Sequence, residues 1–319
     1  WLGFLSLSCG IAAAQLVFSR GQRLDWFDSG EIIIASLVCV LAIWIFCAHS
    51  LTSERPFVRL RLLVDRNYAL GLVLVTLFGM LNFATIVLLP PLLQQHAGFP
   101  DSAIGTIVGW RGVGAAIGFL VAMPMTRLDP RASLVCGALL QTATGYLLGS
   151  LTLEASLQTI LAANAVQGIS IGISWVPLTV ITFWTLAPAD RAEAMSMFHL
   201  FRNFGSSLFI SVAVAEILST GAANYARMVE HVSHFNPVLA MPGVMGGWTI
   251  ETAAGLAKLS KEIARQSILI GYVNAWMLYA LASALILPIC LLARLPPRST
   301  SMPRRGASSW RRRSEEHTS

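Results

Sequence analysis

Long apolar stretches alternate with short polar ones along almost the whole chain. Apolar runs fall at residues 1–18, 30–49, 68–91, 103–125, 132–152, 158–185, 194–219 and 267–293. About twenty apolar residues carry a helix across a hydrocarbon core of roughly 30 Å, so each run predicts one transmembrane helix. Two connections are longer. In LTSERPFVRLRLLVDRN, residues 51–67, Phe57, Leu60 and Val64 alternate with arginines, which predicts an amphipathic connector on the membrane surface or a plain linker of the same polarity. Residues 220–266 are expected to form a long external loop. Its turn-rich part is HFNPVLAMPGVMGG, and TIETAAGLAKLSKEIARQ has the periodicity of an amphipathic helix.

Composition strengthens the membrane reading. Apolar residues are 55% of the chain and charged ones 12%, about half the charge of an ordinary soluble domain. Mean hydropathy is +0.67. The fold class expected is therefore an all-α polytopic membrane protein. The net charge of +6 does not point to nucleic acid, because the basic residues sit in connections between spans. Taking the 51–67 side as inside, 14 Lys and Arg lie inside and 6 outside, four of those in the 220–266 loop. That asymmetry predicts a cytoplasmic C-terminus. The five cysteines are scattered within apolar runs, without CxxC spacing, and are expected to be small buried hydrophobes. His231 and His234 form no convergent metal set, so no metal and no cofactor is expected. No HExxH, GxSxG or Walker A segment is present.

The chain opens inside an apolar run, WLGFLSLSCG, so the first span is expected to be truncated. It ends in a basic tail, 294–319, whose last seven residues, RSEEHTS at 313–319, match translated sequencing-adapter DNA and are expected to be an artefact.

Chemistry inside the spans centres on GWRGVGAAIG, where Arg111 interrupts an apolar helix. By helical rise it lies about 12 Å from the start of its span. It either snorkels outward or faces a bundle interior or cavity, where an intramembrane charge marks a transport path. Its small-residue neighbourhood favours the second. Gly105 and Gly109, then Gly114 and Gly118, form GxxxG spacings that predict close helix packing, with Gly168 and Gly172 as further packing positions. Other candidates for lining a cavity are Asn82, Gln167, Trp175, Arg202 and Asn274; Asn82 and Asn274 equally suit interhelical hydrogen bonds. Arg202 could also snorkel, and Glu216 is expected near an interface.

Several segments follow one another in a recognisable order: LDWFDSGEIII, VLLPPLLQQHAGFPDSAIG, GWRGVGAAIG, TRLDPR, QGISIGISWVPLTVIT, RNFGSS and HFNP. Together they resemble the second half of EmrB/QacA-type transporters, the fourteen-helix drug:proton antiporter branch of the major facilitator superfamily. The resemblance implies a partial major facilitator fold lacking the N-terminal six-helix bundle, and with it the proton-carrying acid. Residues 1–50 would be the two linker helices and 68–293 the C-terminal six-helix bundle. Arg127, Asp129 and Arg131 in TRLDPR would be a degenerate cytoplasmic loop motif. It further implies export of amphipathic, cationic or lipophilic small molecules in exchange for protons across a bacterial inner membrane, with a periplasmic adaptor and an outer-membrane channel as partners. Asn274 stands where many relatives carry an acid. A dedicated exporter of a metabolite, siderophore or lipid is the alternative on the same fold, and a membrane sensor or enzyme is disfavoured.

Overall fold

The computed structural model describes residues 1–53, 60–152, 155–233, 235–237, 248 and 250–295. Arg55, Arg59, His234, the 238–247 turn segment and the tail beyond Leu295 lie outside the described residues. The helices are α1 (Leu2–Arg20), α2 (Gly30–Thr52), α3 (Arg66–Pro91), α4 (Asp101–Leu128), α5 (Pro130–Gly149), α6 (Leu157–Phe183), α7 (Arg191–Glu230), α8 (Ala253–Ala284) and α9 (Ile286–Leu292). Eight candidate spans result, α8 and α9 counting as one, and no strand occurs among the described residues.

Local chemistry sets the helix ends. Asp65 caps α3 by accepting from the Tyr68 N–H at 2.8 Å, and Asp129 caps α5 by accepting from the Arg131 N–H at 2.9 Å. Pro90 and Pro91 close α3, and the turn after them, Leu92–His96, opens to π spacing. Two prolines withhold two backbone donors, which loosens the ladder there. The last span is divided at Leu285, three residues before Pro288, which cannot complete an α-helical bond back to residue 284.

Two boundaries depart from the sequence reading. The 220–266 segment is mostly helix: α7 continues unbroken to Glu230, and α8 already begins at Ala253. From Ala253 on, the amphipathic TIETAAGLAKLSKEIARQ periodicity is thus the first part of α8. The extended ends pair through Tyr225 Oη and Ser260 Oγ at 2.8 Å, and Gly221 lies against Ile268. In the 51–67 connector, described from residue 60, Leu60–Val64 is a short 3₁₀ turn with Leu62 buried and Val64 exposed.

The bundle packs α3 on α7, α4 on α6, α5 on α6 and α8, and α7 on α8, while α1 and α2 pair beside it. Glycine seams bring two of these pairs together. In α4 the buried stripe is Ile107, Gly114, Gly118 and Ala122, at intervals of two turns, one turn and one turn. A Cβ on Gly118 would meet Gly172 Cα at 2.9 Å, one on Gly172 would meet the Phe119 N at 2.6 Å, and one on Gly168 would meet the Ala115 N at 2.8 Å. Backbones this close leave no room for side chains. Gly105 and Gly109 do not take part: both are exposed, with nothing near the position of a Cβ. They stand two residues either side of Ile107, so they fall on the opposite face of the helix. On the other side, Gly79 faces the Arg202 backbone and Gly205 faces the Thr76 backbone, drawing α3 onto α7.

Arg131 of TRLDPR, together with Asn67 and Arg66, ties helix ends together. Arg131 donates to the Ala293 carbonyl, Asn67 Nδ2 donates to the Arg294 carbonyl at 2.7 Å, and Arg66 donates to the Leu292 carbonyl at 3.0 Å. Arg127 ends α4.

The seam makes a direct prediction. Gly172→Ala should lower the thermal unfolding midpoint in detergent, with an overpacking cost of about 1–3 kcal/mol. Gly109→Ala, on the open face, should leave the midpoint unchanged. Equal midpoints for the two variants would contradict the seam.

Candidate functional site

Arg111 falls on the buried stripe of α4, four residues after Ile107 and three before Gly114. That register, and not its depth, turns it into the bundle. Its Nε donates to Gln167 Oε1 on α6 at 2.6 Å. Its Nη2 donates to the Asn82 carbonyl on α3 at 2.8 Å and to Asn82 Oδ1. The guanidinium is therefore held by acceptors from two neighbouring helices, with no carboxylate among the partners named. An ionised group in an apolar setting is tolerable only with its donors met in this way. The charge borders a cleft lined by Thr85, Ile86, Ile107, Val108 and Asn164.

Asn82 also borders a second cleft, with Phe78, Ser174, Trp175 and Arg202. Here the Arg202 guanidinium sits 5.6 Å from the Trp175 ring centroid and 5.8 Å from that of Phe83. Such distances give a cation–π attraction that grows as water is removed. Arg202 also donates to Asn203 Oδ1 at 3.2 Å, and Trp175 is braced by Phe198, edge to face at 5.9 Å. Among the described residues no carboxylate lines either cleft. The arrangement brings a cation to each of two small clefts, with an aromatic wall beside Arg202 and apolar surroundings at both.

Five of the six cavity candidates thus come together: Asn82, Arg111, Gln167, Trp175 and Arg202. Asn274 does not. It lies exposed between α7 and α8, where its Nδ2 donates to Glu216 Oε1 at 3.2 Å, and Thr220 Oγ1 donates to the same oxygen at 2.7 Å. The buried face of α8 is Tyr272, Ala275, Trp276, Tyr279 and Ser283, and Asn274 is off that face. Glu216 sits well inside the 40-residue α7, not at its end.

Sequence reasoning missed a polar layer behind Arg111. Gln167 Nε2 donates to Thr85 Oγ1 at 2.5 Å and to Tyr279 Oη at 3.2 Å; Gln141 Nε2 donates to Tyr279 Oη at 2.7 Å. Gln141, Gln167 and Ser170 have no exposed surface. The signal available was Gln141 alone in the apolar run GALLQTATGY; nothing local marks Thr85 or Tyr279. No group of His, Cys, Asp or Glu suited to a metal occurs among the described residues, and the five cysteines are free.

Among the described residues, an all-helical bundle with eight helices long and apolar enough to cross a membrane is the class defined here. Comparison with known proteins sharpens it. The chain is 30% identical over 280 residues to the multidrug export protein EmrB of Escherichia coli K12, covering 84% of this chain and 53% of that protein. It is 27% identical over 300 residues to the probable multidrug resistance protein EmrY of the same organism, covering 92% of this chain and 58% of that one. It is 25% identical over 311 residues to the fatty acid resistance protein FarB of Neisseria gonorrhoeae, covering 93% and 59%. The resemblance to EmrB/QacA-type transporters is borne out: over most of its length the chain is similar to EmrB- and EmrY-type multidrug export proteins. It spans about half the length of those relatives. No family model matches. Among solved structures, a bacterial homologue of the human lysosomal transporter Spinster aligns with a TM-score of 0.47 at 15% identity, covering 92% of this chain and 70% of that one.

The hydrogen bonding around Arg111 carries a stability prediction. Gln167→Leu removes the acceptor of Arg111 Nε and strips Tyr279 and Thr85 of a donor. Leaving buried polar groups unmet costs about 1–3 kcal/mol, so the unfolding midpoint in detergent should fall clearly. An unchanged midpoint would show that the network contributes nothing to the fold.

Proposed function

We propose that this chain forms the C-terminal bundle, with two linker helices, of a proton-coupled exporter of amphipathic small molecules that works by alternating access in a bacterial inner membrane. The printed names of its relatives support the export reading. The observation that carries the site is Arg111, fixed by Asn82 and Gln167 at the edge of one cleft, with Asn82 also bordering the second cleft, where Trp175 and Arg202 lie. As α7 and α6 supply Arg202 and Trp175, and α3 and α4 supply Asn82 and Arg111, the notch is shared by four helices. A change in their spacing would expose or bury it.

Two arginines and no lining carboxylate favour a cargo with an apolar body and an anionic or acceptor group, within the amphipathic, cationic or lipophilic range that the resemblance implied, over its cationic members. The apolar body would lie on Trp175 and the charge near Arg111 or Arg202. The same lining suits the alternative, a dedicated exporter of one acidic lipid or metabolite, and breadth of substrate separates the two. A periplasmic adaptor and an outer-membrane channel remain the proposed partners, and the paired outer ends of α7 and α8 are the surface to offer an adaptor. The tail after α9 would be cytoplasmic, and the proton-carrying residue would belong to another part of the transporter.

The test uses the intact gene product in proteoliposomes under an imposed pH gradient, with decanoate as an anionic probe and ethidium as a cationic one. Arg111→Ala should raise the decanoate KM about tenfold, equivalent to about 1.4 kcal/mol. Arg111→Lys should recover part of that loss where charge, and not the guanidinium fork, is what matters. Unaltered decanoate transport by Arg111→Ala would remove Arg111 from the cargo site. Transport of ethidium in preference to decanoate would overturn the anionic reading. Orientation has its own check: a fluorescent-protein fusion after Leu295 should fluoresce in cells, and an alkaline phosphatase fusion at that position should be inactive. Active phosphatase would invert the proposed topology.

A further inference from the structure

We infer that Tyr279, buried on α8 and away from both clefts, sets the pose of Arg111 by fixing the side-chain amide of Gln167. The inference rests on the reading of Arg111 as a cargo-facing residue.

Arg111 can only donate hydrogen bonds, so the group 2.6 Å from its Nε must be the oxygen of the Gln167 amide. That choice turns Gln167 Nε2 to the opposite side, where it needs acceptors of its own. Two hydroxyls meet it, Thr85 Oγ1 at 2.5 Å and Tyr279 Oη at 3.2 Å. Gln167 has no exposed surface, so its amide depends on these two hydroxyls. The amide is thus pinned from both ends, and its orientation is the link between Arg111 and Tyr279.

Tyr279 is itself a fixed point. Its ring lies edge-on to Trp276 at 5.7 Å and to Phe209 at 6.2 Å. It also presses on α5 at Gly145, where a Cβ would meet Tyr279 Cδ1 at 2.7 Å. From behind, Gln141 Nε2 donates to the Tyr279 hydroxyl at 2.7 Å, and Gln141 Oε1 in turn accepts from Ser170 Oγ at 2.5 Å. A ring gripped on three sides cannot follow a rotating amide. The hydroxyl therefore acts as the stationary end of a chain that runs from α8 through α6 to α4. Tyr279 is a positioning residue: it touches no cleft, and it acts through Gln167 on the guanidinium.

Tyr279→Phe removes the hydroxyl and keeps the packed ring. Gln167 Nε2 is then left with Thr85 alone, the amide gains freedom about its last torsion, and Arg111 retains only the Asn82 acceptors in fixed position. In proteoliposomes with decanoate as the probe, the expected result is a KM raised about threefold to tenfold, a maximal rate within about twofold of the parent, and no added effect in the Arg111→Ala background. Thr85→Val removes the other acceptor of Gln167 Nε2 and is expected to give the same pattern, so the question stays answerable where Tyr279→Phe does not fold. A purely structural role would lower the maximal rate or the amount of folded protein while leaving KM alone, and that result overturns the inference. So does a KM shift that multiplies with that of Arg111→Ala. A normal KM in Tyr279→Phe beside a raised KM in Arg111→Ala refutes the inference and leaves the cargo site standing. A normal KM in Arg111→Ala refutes both.

Discussion

Four glycines hold α4 and α6 backbone to backbone, and the position of Arg111 follows from that contact. A Cβ at Gly168 would come within 2.8 Å of the Ala115 N, so any larger residue would move the helices apart. Gln167 and Arg111 each sit one residue or one turn from this seam. Separation of the helices by an ångström or two would take the 2.6 Å bond between them out of hydrogen-bonding range. Between lipid tails and helix surfaces there is no hydrophobic driving force of the kind that assembles soluble cores, and close packing together with polar pairing takes its place. Here the packing of small residues comes first in the causal order, because it creates the geometry in which the polar pairs can form.

The charged residues divide according to how that geometry treats them. Arg111 is turned inward by helical register and satisfied by carbonyl-type oxygens of α3 and α6. Arg202 lies near the rings of Phe83 and Trp175 and donates to the neighbouring Asn203. Glu216 is answered by an amide and a hydroxyl, not by a cation, at the far side of α7. Glu216 is therefore kept apart from both cleft arginines, and no carboxylate neutralises either cleft among the described residues.

Periodicity made the spans legible, since eight apolar runs map onto eight helical spans with boundaries moved by a few residues at most ends. The large displacement, at 220–266, has a physical cause. Polar residues on an extended amphipathic helix look like a loop when only mean hydropathy is read, although Lys258, Lys261 and Arg265 follow a helical spacing that α8 realises. The glycines were half legible: the GxxxG spacing recurs along α4, but only the copy in register with Ile107 and Ala122 meets another helix. Five cavity candidates converge because each is polar or aromatic in an apolar run and each points to the inner face. Asn274 satisfied the first condition and failed the second. Thr85 and Tyr279 could not be read at all: a Thr hydroxyl in a helix often bonds its own backbone, a Tyr in an apolar run reads as packing, and only tertiary contact shows which ones reach across.

That distinction bears on how the site can change. The bonds that hold Arg111 and Gln167 are all made between different helices, whereas Thr144, Thr182 and Ser174 return theirs to carbonyls four residues earlier in their own helices. Bonds of the second kind survive any rigid-body movement of the helix that contains them. Bonds of the first kind must be exchanged when helices slide, and in a water-free layer each must find a new partner before the old one is far away. Hydroxyl and amide groups suit this demand, because the Tyr279 hydroxyl and the two glutamine amides can each donate and accept, so partners can be traded without stranding a charge. Arg111 cannot reverse its role. Any rearrangement of α4 against α3 and α6 must therefore keep at least one oxygen on the guanidinium throughout. Asn82 supplies two, a carbonyl fixed in the helix and a side-chain oxygen that can rotate, so the arginine has a continuous hold on α3 while its bond to Gln167 is remade.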